Sequence, residues 1–300
     1  MRAYLQLVRL PNVFTAMADI LLGYLLTHPS LEPVGEFALL LGASSLLYMS
    51  GMVLNDYFDR QQDAEERPFR PIPSGRVSER QALALGLGMM AAGVALAWVA
   101  SFVASDPRPG LVATALAAAI LVYDGVLKQT PVAPIVMGAC RTLNILLGMS
   151  LSLSVWSAPY FVIAVGVGLY ITGVTIFARC EARESARGQL ALGVVVLLAG
   201  IGVVASLPTW ITGGEWPAFR LPNTWYLFWA LLGTMIGYRC MRAVLDPQPM
   251  RVQAAVKNAI FSLVIIDAAA CLAVQDMIWA VVILLLLIPT LTLGRWIYST

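Results

Sequence analysis

The chain has 300 residues, 59% of them hydrophobic and only 12% charged, with a net charge of +2; a soluble domain is about half apolar and about a quarter charged. That balance excludes an ordinary soluble globule, and the 19 basic residues lie in short scattered groups rather than on the continuous basic face that nucleic-acid binding requires. One histidine and four dispersed cysteines, with no C-x-x-C, offer no histidine- or thiolate-based metal site.

Ten apolar windows near the length that crosses a bilayer, about 20 residues, fall at 10–27, 36–54, 81–103, 110–127, 133–153, 159–178, 189–207, 223–244, 254–273 and 277–297. The first carries Asn12 and Asp19, whose spacing of seven puts them on one helix face. The second runs directly into Asn55-Asp-Tyr-Phe-Asp59-Arg-Gln-Gln-Asp63. At about 100° per residue, Asp56, Asp59 and Asp63 fall within roughly 60° of one another, with Asn55 about 40° beyond Asp59. Three carboxylates and an amide oxygen on one face repel unless a cation sits among them, and hard oxygen ligands of this kind suit Mg²⁺. The loop that follows supplies Arg67 and then Arg70-Pro-Ile-Pro-Ser74-Gly-Arg76. Guanidinium groups bind phosphate as bidentate forks, so this loop matches the phosphate end of a ligand.

The composite pattern N-D-x-x-D-x-x-x-D followed by R-P-I-x-S-G resembles the first aspartate-rich signature of the UbiA superfamily of intramembrane prenyltransferases. The resemblance covers nearly the whole chain. It implies an all-α fold: a polytopic transmembrane bundle of nine or ten helices around a central cavity, as a single domain over 1–300. The window at about 277–297 is then an extra C-terminal helix.

The fourth span closes in Tyr123-Asp-Gly-Val-Leu-Lys128, which resembles the family's Tyr…Lys element, where the lysine contacts the diphosphate and the tyrosine lines the site. A lysine at a helix end also serves as a simple membrane anchor. The fifth span holds Arg141 and Asn144 one turn apart. An arginine inside a membrane is costly and normally faces a cavity or a partner, here Asp124 or the diphosphate. After the sixth span, where the family carries a second D-x-x-x-D motif, this chain reads Arg179-Cys-Glu181-Ala-Arg-Glu184. Two glutamates at i, i+3 share a face, but both the residue type and the spacing depart from the family pattern. Asp267 in the ninth span and Asn258 near its start are further polar candidates, with an interhelical contact as the alternative, and the last two windows are separated only by Val274-Gln-Asp276.

With the N-terminus placed inside, the inner segments hold sixteen of the 19 basic residues, Arg108 and Arg220 lie outside, and Arg141 lies within a span. The positive-inside rule therefore puts the N-terminus and the loop 55–76 on the cytoplasmic side.

The resemblance implies transfer of a prenyl group from an isoprenoid diphosphate to an aromatic or other small lipophilic acceptor, with Mg²⁺ as cofactor and membrane lipid as surroundings. Asn55, Asp56, Asp59, Asp63 and Lys128 form its implied catalytic set. Glu181 and Glu184 join Asn55 and the three aspartates as metal ligands. Asn12, Asp19, Arg67, Arg70, Ser74, Arg76, Tyr123, Arg141, Asn144 and Arg179 are the implied substrate contacts. The segments Phe177-Ala-Arg-Cys-Glu181 and Leu293-Gly-Arg-Trp-Ile-Tyr298 resemble the EboC-like branch. A non-catalytic isoprenoid-lipid binder or transporter with a degenerate second motif is the alternative.

Overall fold

The computed structural model describes residues 2–179, 187–211 and 223–296. Among these residues every regular element is helical. A short amphipathic α1 (Arg2–Leu7) leads through Arg9, in the left-handed region at φ 47°, into α2 (Leu10–Thr27). Pro11 is tolerated there because the first turn has no intrahelical use for its N–H. α3 (Val34–Phe58) ends at Asp59, and α4 (Arg60–Glu66) restarts from the same residue. Pro68, Pro71, Pro73 and a Gly75 at φ 71° then prevent further helix.

α5 (Glu79–Ala104) begins at a reciprocal capping box between Ser78 and Gln81. α6 (Arg108–Val122) continues into a π-helical turn over Tyr123–Leu127. α7 (Ala133–Met149), α8 (Ala158–Ala178), α9 (Arg187–Ala205), α10 (Trp225–Leu245) and α11 (Pro249–Cys271) follow. The C-terminal window divides into α12 (Met277–Leu285) and α13 (Leu287–Trp296). Pro289 explains the division, since its ring would clash with the carbonyl of Leu285 in a continuous helix.

All ten expected windows are therefore helical. Eight of them are long and apolar enough to cross a membrane. α7 is shorter at 17 residues, and α10 carries Arg239 and Arg242 near its end.

Successive helices touch in order, and α11 returns to α2 to close a ring. α2 is 78% buried over its span and α5 only 28%, which places α2 on the inside and α5 toward lipid. The closest approaches use glycine, as expected where membrane helices must pack backbone to backbone. A Cβ on Gly148 would lie 2.7 Å from the Ile20 carbonyl oxygen of α2, and one on Gly200 would lie 2.7 Å from the Gly166 carbonyl oxygen of α8. Gly88 and Gly202 meet nothing within 4 Å, so they are not packing glycines.

Candidate active site

The inner faces of α2, α3, α6, α7, α8 and α11 enclose a cavity of about 350 Å³, near the lower end of the usual range for small-molecule sites. Leu116, Ile120, Ile171, Val174, Val256 and Ile260 give it apolar lining, while Arg9, Asn12, Tyr48, Asn55, Asp124 and Arg141 supply polar groups. Such a chamber suits a greasy molecule carrying a polar head.

At one end stands the acidic segment. Asp59, the junction of α3 and α4, keeps helical dihedrals and hydrogen bonding, and each carboxylate of the segment meets a cation. Arg9 donates to Asp56 Oδ1 at 2.9 Å, and Arg70 reaches the same oxygen at 3.4 Å and Asp63 Oδ2 at 2.6 Å. Lys128 Nζ pairs with Asp59 Oδ2. Asn55 Nδ2 donates to Asp124 Oδ1 at 2.9 Å. Burial pushes the Asp63 carboxyl above its ordinary range, and Arg70 opposes that shift.

Asn55–Asp124 and Asp59–Lys128 have the same sequence offset, 69 residues, and each pair spans from α3 to the end of α6. The two contacts are therefore successive rungs between parallel helices. The π-helical turn carries Asp124 and leads into Lys128, an irregularity of the kind that recurs at functional sites.

Among the described residues, no three acidic, histidine or cysteine side chains are grouped to hold a metal ion. Asp56 and Asp63 converge on Arg70 and Asp59 pairs with Lys128, so the neighbouring carboxylates expected from the sequence are each charge-paired. The donor set still fits Mg²⁺ in type, since all its ligands are hard oxygens. One guanidinium nitrogen of Arg70 lies within 3.4 Å of both Asp56 and Asp63, so two carboxylates already reach one common cation position.

Of the other expected residues, Asn12, Tyr123, Arg141 and Asn144 line the cavity. Arg67 is half-buried at the end of α4, where its backbone N–H donates to the Asp63 carbonyl at 2.8 Å. Ser74 and Arg76 are exposed and brace the loop that presents Arg70. Ser74 Oγ donates to the Arg70 carbonyl at 2.6 Å, and Arg76 donates to Ser74 Oγ at 2.9 Å and Gln6 Oε1 at 3.0 Å. Asp19 is fully buried behind the cavity wall and pairs with Arg141 at 3.1 Å. It therefore fills the partner position that the sequence reading gave to Asp124 or the diphosphate. Arg179 donates to the Lys128 carbonyl at 3.0 Å. Glu181 and Glu184 lie outside the described residues.

Arg9 is the main residue that sequence reasoning missed. Its signal was a positive charge just ahead of the first span, but nothing local shows that it reaches Asp56, 47 residues away. A left-handed arginine is strained, and the hydrogen bond to Asp56 is what the strained turn secures.

A family model described as UbiA prenyltransferase family matches residues 16–266. The digeranylgeranylglyceryl phosphate synthase of Methanopyrus kandleri is 36% identical over 162 residues, covering 52% of this chain and 57% of that protein. The synthase of the same name from Ignicoccus hospitalis is 30% identical over 189 residues, covering 63% of this chain and 58% of that protein. The chain thus spans about half the length of the curated relatives it matches. Among solved structures, a UbiA homolog from Archaeoglobus fulgidus bound to DMAPP and Mg²⁺ superposes with a TM-score of 0.65 at 16% identity, over 94% of this chain and 98% of that one. A structure of digeranylgeranylglyceryl phosphate synthase in membranes gives the same TM-score at 20% identity, over 94% and 98%. With the family model spanning most of the bundle and the fold shared end to end, this chain belongs to the UbiA prenyltransferase family.

Proposed function

We propose that the protein transfers a prenyl group from an isoprenoid diphosphate to a lipophilic acceptor at the cavity mouth. The observation that carries this reading is an acid–cation cluster set at one end of an otherwise largely apolar chamber. The donor's carbon–oxygen bond breaks, pyrophosphate leaves, and the acceptor forms a bond to the allylic carbon and loses its proton. Apolar walls keep water from the allylic cation. Arg9, Arg70 and Lys128 bring positive charge to the place where negative charge develops on the leaving group. Arg179 and Arg67 stand at the rim, and Asn12, Tyr123, Arg141 and Asn144 contact the substrates within the cavity. Ser74 and Arg76 act indirectly, by holding the Arg70 loop, and Asp19 by holding Arg141.

Asn55, Asp56, Asp59 and Asp63, joined by Glu181 and Glu184, would hold Mg²⁺. When bound, the metal supplies further neutralisation of the diphosphate charge. The donor class follows the diphosphate-bound neighbour. The name shared by the relatives supports a prenylated glyceryl phosphate acceptor more than an aromatic one. The chain acts as one domain, with its N-terminus and charged loops on the cytoplasmic side, as the sixteen-to-two distribution of basic residues supports.

The test is Mg²⁺-dependent pyrophosphate release from membranes containing the protein and supplied with geranylgeranyl diphosphate and candidate acceptors. Asp59→Ala is expected to lower release at least about a hundredfold, in the range seen when one transition-state electrostatic contact is lost. Mg²⁺-dependent binding of the diphosphate without any release would overturn the enzyme reading in favour of a lipid binder.

A further inference from the structure

Away from the charged mouth, α2, α7 and α11 bring two carboxyl groups together in the interior. Asp19 and Asp267 are both 0% exposed and lie within hydrogen-bonding reach of each other. Their surroundings are unequal. Asp19 Oδ2 accepts from Asn144 Nδ2 at 2.9 Å and pairs with Arg141 Nη1 at 3.1 Å. Asp19 Oδ1 and both oxygens of Asp267 meet no donor among the described residues.

Two ionised carboxylates cannot face each other in this setting. An isolated buried carboxylate without a donor is strongly disfavoured, and Arg141 supplies one positive charge for two acids. The other titratable groups near the pair add none: Tyr48 from α3, Tyr170 from α8 and Cys271 one turn along α11 are uncharged. Tyr170 already spends its hydroxyl proton on the Ala259 carbonyl at 2.8 Å. A single proton relieves the repulsion, because it makes one Asp267 oxygen a donor to Asp19 Oδ1 and leaves Asp19 negative opposite Arg141, with only the Asp267 carbonyl oxygen still lacking a donor.

We propose that Asp19 and Asp267 hold one proton between them, with Asp267 donating its O–H to Asp19 Oδ1, and that this acid–carboxylate pair fixes Arg141 at the cavity wall. Asp267 is then a positioning residue that acts through Asp19. From the other side, Arg141 Nη2 donates to Thr15 Oγ1 at 2.8 Å, and Ser44 Oγ donates to Asn144 Oδ1 at 2.6 Å. The pair thus anchors a polar lattice joining α2, α3, α7 and α11 behind the lining.

The test uses the full-length protein in lipid nanodiscs and does not depend on turnover, so it stands apart from the assay of transfer. Infrared spectra with ¹³C-labelled aspartate should show the carbonyl band of a protonated buried acid at neutral pH. Asp267→Asn should abolish that band while keeping the wild-type unfolding temperature, since its amide can still donate to Asp19. Asp19→Asn should also abolish it, because Asp267 must then ionise to balance Arg141. Asp267→Leu, of similar bulk but without a donor, should unfold at a lower temperature. Absence of the band in the wild type, its survival in Asp267→Asn, or equal stability of the Leu and Asn variants would each overturn the proposal.

Discussion

Gly148→Ala tests whether the cavity's polar wall depends on backbone contact between α2 and α7. The new methyl group would stand 2.7 Å from the Ile20 carbonyl oxygen and 3.1 Å from both Gly23 Cα and the Tyr24 nitrogen. Every one of these is helix backbone, so no side chain can swing aside. The helices must part by roughly 0.7 Å to restore an ordinary contact of 3.4 Å. The same interface carries Asn144 Nδ2 to the Ala16 carbonyl at 3.1 Å and to Asp19 at 2.9 Å, Arg141 to Asp19 at 3.1 Å, and Arg141 to Thr15 at 2.8 Å. A shift of that size carries most of them beyond the usual limit of about 3.2 Å. Overpacking costs about 1–3 kcal/mol, and each weakened hydrogen bond adds about 0.5–1.5 kcal/mol.

Thermal unfolding in detergent micelles measures the effect, with Gly202→Ala as the control. Nothing lies within 4 Å of a Cβ at Gly202, so alanine there gains helix propensity of up to about 1 kcal/mol. The two variants should move in opposite directions. Equal unfolding temperatures would refute the argument that backbone contact at Gly148 holds the wall together.

Three further outcomes follow from features away from the cavity. Ser78→Ala removes the side chain that accepts from Gln81 N–H; it should cost about 1 kcal/mol and speed hydrogen exchange in the first turn of α5. Gln275→Ala deletes two hydrogen bonds, each 2.8 Å, to the carbonyls of Leu25 and His28 at the end of α2, and should cost roughly 1–3 kcal/mol in thermal unfolding. The Arg108 guanidinium hydrogen-bonded to Asp106 holds that carboxyl below its ordinary range. A depressed carboxyl stabilises the fold above its unfolded value and loses that contribution as pH falls through the folded one. Unfolding temperature should therefore drop more steeply below about pH 4 in the wild type than in Asp106→Asn.

The helices were legible because apolar runs of bilayer length need no partner to be recognised. The short connection Val274–Asp276 allowed a tight helical hairpin and left nine or ten spans open, and the division at Leu286 required giving weight to Pro289. The acidic motif was legible as chemistry but not in its pairing. A helical wheel places the acids, since Asp59 and Asp63 still donate to carbonyls four residues back, but it does not show which cations they meet. Two of the cations come from far along the chain, Arg9 lying 47 positions before Asp56 and Lys128 69 after Asp59, while Arg70 comes from the adjoining loop. Arg141 lines the cavity, and its counterion is Asp19, not one of the two partners the sequence suggested, Asp124 or the diphosphate. Several acids could in principle balance an intramembrane cation, and only packing selects Asp19. Ser74 and Arg76 match a phosphate-binding loop in composition, yet their side chains are used in holding that loop's shape.

The equal offset of the two contacts between α3 and α6 bears on how the charged mouth keeps its alignment. Suppose α6 slid by one turn toward the loop end of α3. Asp124 would then arrive beside Asp59, setting two like charges against each other, and Lys128 would lose its counterion. Slid the other way, Lys128 would face only the neutral amide of Asn55, and Asp124 would lose its donor. Axial slip is therefore resisted in both directions by electrostatics, where the small residues and smooth apolar surfaces of neighbouring membrane helices offer little mechanical stop.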